Sequence, residues 1–182
     1  MQPSFESRIT TMIKALSDTV RPAVDGADMA ASEQLGIVIA SLALLREQID
    51  FGDWFEVAET RSLAALIRAL AGLGSFPSAA GALVSATDAL ALAERHDRRL
   101  STLRTANVGL RAAIHQLMEE AFAVTDAGGQ AEVRRLVLAH SAAQVSRERA
   151  FVAGTNFDVF PHSLKSIEQC LSEEGSTEER KA

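Results

Sequence analysis

The sequence has 182 residues, of which 47% are hydrophobic and 23% charged, and its formal net charge is −6. This length suits one domain with a sizeable core, and this composition excludes an intrinsically disordered chain. The acidic balance provides no overall field that would attract phosphate backbones, so we expect no nucleic-acid partner.

Apolar residues recur on a 3.6-residue period through the first part of the chain, which predicts amphipathic helices. The first helix is expected over residues 4–20, because Arg21 precedes Pro22 and proline has no amide hydrogen to donate. A second helix is expected over 27–50 and a third over 53–73. Asp53 is the expected N-cap of the third, with Glu56 completing a capping box. Its expected buried face consists of Phe55, Ala58, Ser62, Leu66, Ala69, Leu70 and Leu73.

The second half of the chain continues the same pattern. Further helices are expected over 78–98, 100–124, 130–153 and, as a short last element, 163–171. Weak punctuation near residue 98 leaves open one continuous helix over 78–124, and the Asp126–Gly129 segment predicts a turn. The polar tail, 172–182, is expected to be disordered. The sequence thus predicts an all-α, single-domain antiparallel helical bundle of about six to seven helices over residues 1–171.

The second predicted helix is apolar on two sides. One stripe consists of Leu35, Val38, Leu42, Leu45 and Ile49. Ile37 and Leu44 form a second stripe on nearly the opposite side. Such a helix is either central in a bundle or shared between its own core and a partner. Trp54, at the start of the next helix, is a further interface candidate, because tryptophan is enriched in interface cores.

One polar row interrupts the apolar face of the helix predicted over 130–153. His140, Gln144 and Arg147 lie on it at helical spacing. Buried polar groups need hydrogen-bond partners. Partners on facing helices, with Thr87, Asp88 and Asn107 as candidates, would make the row a structural network. A small-molecule ligand in a bundle cavity would make it a binding site.

Chemical motifs are absent from the sequence. No catalytic constellation, P-loop, dinucleotide fingerprint or metal signature is present, so we predict no catalytic residue, no metal and no cofactor. His115 and Glu119 are expected to be an exposed pair one helical turn apart rather than metal ligands. Whether the protein is an enzyme stays open, with a non-catalytic role favoured.

Cellular location is inferred from the cysteine count and the apolar runs. Cys170 is the single cysteine and has no intramolecular disulfide partner, which is typical of a reducing compartment. The most apolar run, residues 35–45, has about half the length of a membrane span. We therefore expect a cytoplasmic protein without membrane contact. It is expected to act through protein association, as a homodimer. The alternative is a small-molecule-binding or enzymatic bundle with a cavity around His140.

Overall fold

A computed structural model of the protein describes residues 3–24, 28–153 and 164–170. These residues form seven α-helices and no strand, so the predicted all-α helical class is confirmed. Internal contacts divide the chain into two compact units, residues 1–51 with 148–167 and residues 52–147 with 168–182. The predicted tail, 172–182, lies outside the described residues.

The first unit begins with helix α1 (Phe5–Ala15), a π-helical turn (Leu16–Val20) and the single turn α2 (Arg21–Val24). The expected stop before Pro22 is therefore wrong, because helical backbone continues through the proline. In a regular α-helix the proline ring would meet the carbonyl of Asp18. The π-helical turn widens the backbone just before this point and accommodates the ring.

Helix α3 (Met29–Gln48) follows in the same unit and packs against α1. Its N-terminus is capped by Asp28, whose carboxylate accepts hydrogen bonds from the amides of Ala30 and Ala31 at 2.9 and 3.2 Å. A helix was expected here over 27–50, and the observed bounds lie two residues inside that range at each end.

The second unit contains α4 (Gly52–Ala71), α5 (Ala79–Glu94), α6 (Leu100–Val124) and, through residue 147, α7 (Ala127–Phe151). Two helices, not one, therefore occupy residues 78–124. The α6 bounds coincide with the predicted range of 100–124. Arg95–Arg99 leaves the helical conformation, and Arg98 contacts Asp53 there.

Helix α4 is the central helix of this unit, since it packs against both α5 and α6. Its buried residues are Val57, Ala58, Glu59, Thr60, Leu63, Ala64, Leu66, Ile67 and Leu70. They cover most of its circumference. Of the predicted face, Ala58, Leu66 and Leu70 are buried and the other four residues are half-buried, and the observed buried face is wider than the predicted one. A stripe of alanines on α5 (Ala82, Ala86, Ala89 and Ala93) and the α6 residues Leu110, Ile114 and Leu117 complete the core.

Side-chain hydrogen bonds secure the starts of α5 and α7. Glu120 on α6 accepts hydrogen bonds from the amide and hydroxyl of Ser78 at 3.0 and 2.8 Å, which joins the start of α5 to α6. Asp126 accepts the amide of Gly129 at 2.8 Å and caps α7. The turn predicted at Asp126–Gly129 is therefore the first turn of a helix. Asp53 lies inside α4 and is not its N-cap.

Gly129 and Gly81 are expected to respond oppositely to substitution by alanine. A β-carbon at Gly129 would lie 2.6 Å from Cβ of Thr125, whereas one at Gly81 would meet nothing within 4 Å. We expect Gly81→Ala to raise the free energy of unfolding by about 0.5–1 kcal/mol, because alanine has the higher helix propensity. Gly129→Ala should lower it by about 1–3 kcal/mol through overpacking. Urea denaturation of both variants measures the change in the free energy of unfolding. An equal increase in both variants would contradict the close contact at Thr125.

Candidate functional site

Helix α3 has a long apolar middle segment and carries no buried residue. Its most apolar 18-residue window has a mean hydropathy of 1.3. By length and composition alone, the helix is long and apolar enough to cross a membrane. Ile37, Val38 and Leu45 are 46%, 47% and 49% exposed, and Leu44 is half-buried. The sequence left open a central position or a face shared with a partner, and in its own unit α3 packs against α1, the π-helical turn and α2 without burying any residue.

Helix α1 is also only partly covered. Its predicted apolar stripe includes Ile9, which is buried, but Phe5 and Met12 on the same stripe are 72% and 46% exposed. Among the described residues of the first unit, Ile9 and Ala150 alone are buried. Among the described residues of this unit, more large apolar side chains are exposed than buried, and most of the exposed ones lie on α1 and α3. We call Phe5, Met12, Ile37, Val38 and Leu45 the α1–α3 apolar surface.

Trp54 lies near the start of α4, in the other unit, and is half exposed. The Trp54 side chain is therefore not fully buried against its own chain. The three predicted interface residues fall into two groups, Ile37 and Leu44 on α3, and Trp54 on α4. The interface role of each stays a prediction.

A buried ionic cluster lies between α4, α6 and α7. Glu59 is 1% exposed, and its two carboxylate oxygens accept hydrogen bonds from Arg111 and Arg147, each at 2.8 Å. The Arg147 side chain is 2% exposed, whereas that of Arg111 is 46% exposed. A buried carboxylate of this kind is stable only with charged and hydrogen-bonding partners. We call Glu59, Arg111 and Arg147 the Glu59 cluster.

An uncharged pair extends this polar region along the same helices. The hydroxyl of Thr60 donates to Oδ1 of Asn107 at 2.7 Å, and both residues are fully buried. The Asn107 amide donates to the backbone carbonyl and the carboxylate of Glu56, at 3.1 and 3.0 Å. Arg104 also donates to that carboxylate at 2.7 Å. Every polar group in this chain of contacts therefore has a partner, which is what burial requires.

His140 is half-buried on α7, and its Nδ1 lies 3.1 Å from the hydroxyl of Ser62 on α4. Burial lowers the pKa of His140 below 6.5 because the charged imidazolium loses solvation, the Glu59 carboxylate opposes this shift, and Arg147 and Arg111 add to it. The ring is therefore held mainly neutral at pH 7, as a hydrogen-bonding partner rather than a cation.

The predicted row of His140, Gln144 and Arg147 does lie on one face of α7, with His140 and Gln144 half-buried and Arg147 buried. Arg147 and His140 meet Glu59 and Ser62 on α4, neither of which was a predicted partner. Thr87, by contrast, donates to the Leu83 carbonyl within its own exposed turn. The contacts supply the structural network that was one reading of this row. The ligand-binding reading stays a prediction.

Sequence reasoning missed Glu59 and Thr60. Asn107 was a candidate partner of the α7 row, but it bonds to Thr60 and Glu56 instead. It lies at helical spacing between Leu103 and Leu110 of α6, so a polar residue in a core register was its signal. Glu59 carried a similar signal, because it precedes Leu66 and Leu70 of the predicted buried face by seven and eleven residues.

The Glu59 cluster pairs one buried carboxylate with two guanidinium groups. Among the described residues, no group of three or more histidine, cysteine or acidic side chains could hold a metal ion. His115 and Glu119 are 75% and 69% exposed, as predicted for a solvated pair. Cys170 is buried, with its sulfur 4.0 Å from the carbonyl of Ser146. Comparisons with protein-family models, with curated proteins and with solved structures find no match to this chain.

Proposed function

We propose that this helical-bundle protein acts through self-association, as a homodimer whose seam is the α1–α3 apolar surface. The observation that carries the proposal is α3 itself, a 20-residue helix with a mean hydropathy of 1.3 and no buried residue. Large exposed apolar patches on soluble proteins mark interaction sites. The half-uncovered stripe of α1, next to α3, widens this surface beyond a single helix.

A membrane is the competing occupant of such a helix, and the charges along α3 argue against it. Twenty helical residues span about 30 Å, the thickness of a bilayer core. However, Glu33 and Arg46 bound the longest uncharged stretch, 34–45, which is only about 18 Å long at 1.5 Å per residue. A charged side chain within the hydrocarbon region is costly. A protein partner covers the same apolar residues and leaves both charges at the rim.

A second copy of the chain is the partner that we propose. Two-fold dimers are the commonest oligomers, and their interfaces pair the same patch on both subunits. Two helices about 10 Å wide and up to about 30 Å long present several hundred square ångströms. This is the order of the ~800 Å² that each partner contributes to a standard interface. Ile37, Val38 and Leu45 are exposed large apolar side chains of α3 and supply the apolar anchors.

The oligomeric mass in solution tests the proposal. Light scattering coupled to size exclusion should give twice the 19.4-kDa chain mass for the natural protein. We expect Ile37→Glu with Leu45→Glu to raise the dimer dissociation constant by at least ~100-fold, because two-fold symmetry buries four carboxylates in the seam. Circular dichroism should show unchanged helicity, because both residues are exposed within their own chain.

The matched control is Val84→Glu with Val108→Glu, on helices α5 and α6. Val84 and Val108 are 61% and 62% exposed, which is more than Ile37 and Leu45. This double variant should stay dimeric. A seam variant that remains a full dimer would refute the assignment of the interface to α3. A monomeric natural protein would refute self-association, and its sedimentation with lipid vesicles would identify a membrane as the occupant instead.

A further inference from the structure

Two polar contacts hold α7 against α4 at different heights. Glu59 accepts a hydrogen bond from Arg147 at 2.8 Å, and Ser62 shares one with His140 at 3.1 Å. The residue numbers rise along α4 and fall along α7, so the two helices are antiparallel here. His140 lies two turns before Arg147, on the same face of α7. Together the two contacts fix the register of α7 on its neighbour.

Charged groups of both signs act on the ring of His140. The groups that act on its ring are Glu59 on α4, Arg111 on α6 and Arg147 on its own helix. One carboxylate therefore already serves two guanidinium groups. A neutral imidazole adds no charge to this arrangement, whereas an imidazolium would add a positive charge beside two guanidinium groups. Arg147 has no route to water that preserves the packing, because its side chain is 2% exposed.

We propose that the Ser62–His140 contact and the Glu59 cluster form an acid-sensitive latch, in which protonation of His140 loosens α7 from α4. The added positive charge weakens the hydrogen bond from Arg147 to Glu59. It also disfavours the half-buried position of the His140 ring. Helix α7 responds first because these polar contacts set its register. The hydrophobic core that α4, α5 and α6 share consists of apolar side chains and does not titrate.

The direction of the pH effect follows from the folded-state pKa of His140, which burial holds below 6.5. The loosened state, with the ring in water, binds the proton more readily than the latched state. The contribution of the latch is therefore fully present above pH about 6.5 and is lost as the pH falls from there through the folded-state pKa.

Hydrogen exchange along α7, residues 130–147, tests the latch. Protection factors, rather than raw rates, should be compared between about pH 7.5 and pH 5.5. One linked proton raises the opening equilibrium by at most about tenfold per pH unit. We therefore expect a several-fold loss of protection in α7, while amides of α4 and α6 keep theirs. Equal loss in all three helices would overturn the proposal, since it would report global unfolding.

His140→Asn is the diagnostic variant, because its amide can occupy the position of Nδ1 beside Ser62 and does not titrate. It should abolish the pH dependence of α7 protection. His115→Asn is the matched control, since His115 is 75% exposed, and should leave it intact. An unchanged pH dependence in His140→Asn would refute the latch. If that variant fails to fold, imidazole titration of the natural protein by NMR decides, because a His140 pKa at or above 6.5 overturns the proposal.

Discussion

Glu59→Gln is expected to lower the free energy of unfolding by about 3–5 kcal/mol, the range found when one partner of a buried ion pair is removed. Glu59 is 1% exposed and accepts from both Arg111 and Arg147. The amide retains the shape of the side chain but not its charge. The buried Arg147 would then lose the ion pair that Glu59 supplies. Urea denaturation followed by circular dichroism measures the loss.

Glu119→Gln supplies the matched control, because Glu119 is 69% exposed and pairs only with a neighbouring exposed histidine on its own helix. Its effect should stay within about 0.5 kcal/mol. A double change, Glu59→Leu with Arg147→Met, removes both buried charges and should recover much of the stability lost in Glu59→Gln. A Glu59→Gln variant as stable as the control would contradict the burial of the cluster.

Leu117→Ala is expected to lower the free energy of unfolding by about 2–5 kcal/mol. Leu117 is fully buried on α6, within the core that α4, α5 and α6 share. Truncation to alanine removes apolar surface that folding buries away from water. It also leaves a cavity that the surrounding helices fill only in part. The same urea denaturation measures the change, and the slope with denaturant should stay constant if unfolding remains two-state.

Leu138→Ala on α7 is the same chemical change at a side chain that is 69% exposed. We expect it to alter stability by less than about 0.5 kcal/mol. A large effect at Leu138 would mean that its surface is covered in solution. That result would direct the search for an interface to α7 instead of α3, and so bears on the proposed dimer as well.

The proposed seam and the Glu59 cluster have different physical origins. The α1–α3 surface is proposed as an interface because its apolar residues remain exposed within the chain. The Glu59 cluster, by contrast, is internally paired, with hydrogen bonds from Arg111 and Arg147 to both carboxylate oxygens. The tests of the two regions are independent, since changes at Ile37 and Leu45 leave His140 and its partners untouched.

The sequence by itself determined the helical class and most helix bounds. Helix α6 begins and ends where its apolar period and flanking residues predicted. Its buried apolar residues, Leu103, Leu110, Ile114, Leu117 and Ala121, recur at helical spacing. These features depend on local propensity and on one amphipathic face, both of which are readable in a window of ten to twenty residues. Pro22 and Gly129 were misread because neighbouring backbone and side chains accommodate them within helices.

Only the tertiary structure decided which helix is central. By pattern α3 is the more apolar, yet α4 is the one buried over most of its circumference. A polar residue such as Glu59 can face the interior when arginines from two other helices reach it, and no local window contains those arginines. Arg111 and Arg147 lie 52 and 88 residues from Glu59 along the chain. Burial of charge is a property of the assembled helices, because only their packing brings the compensating charges together.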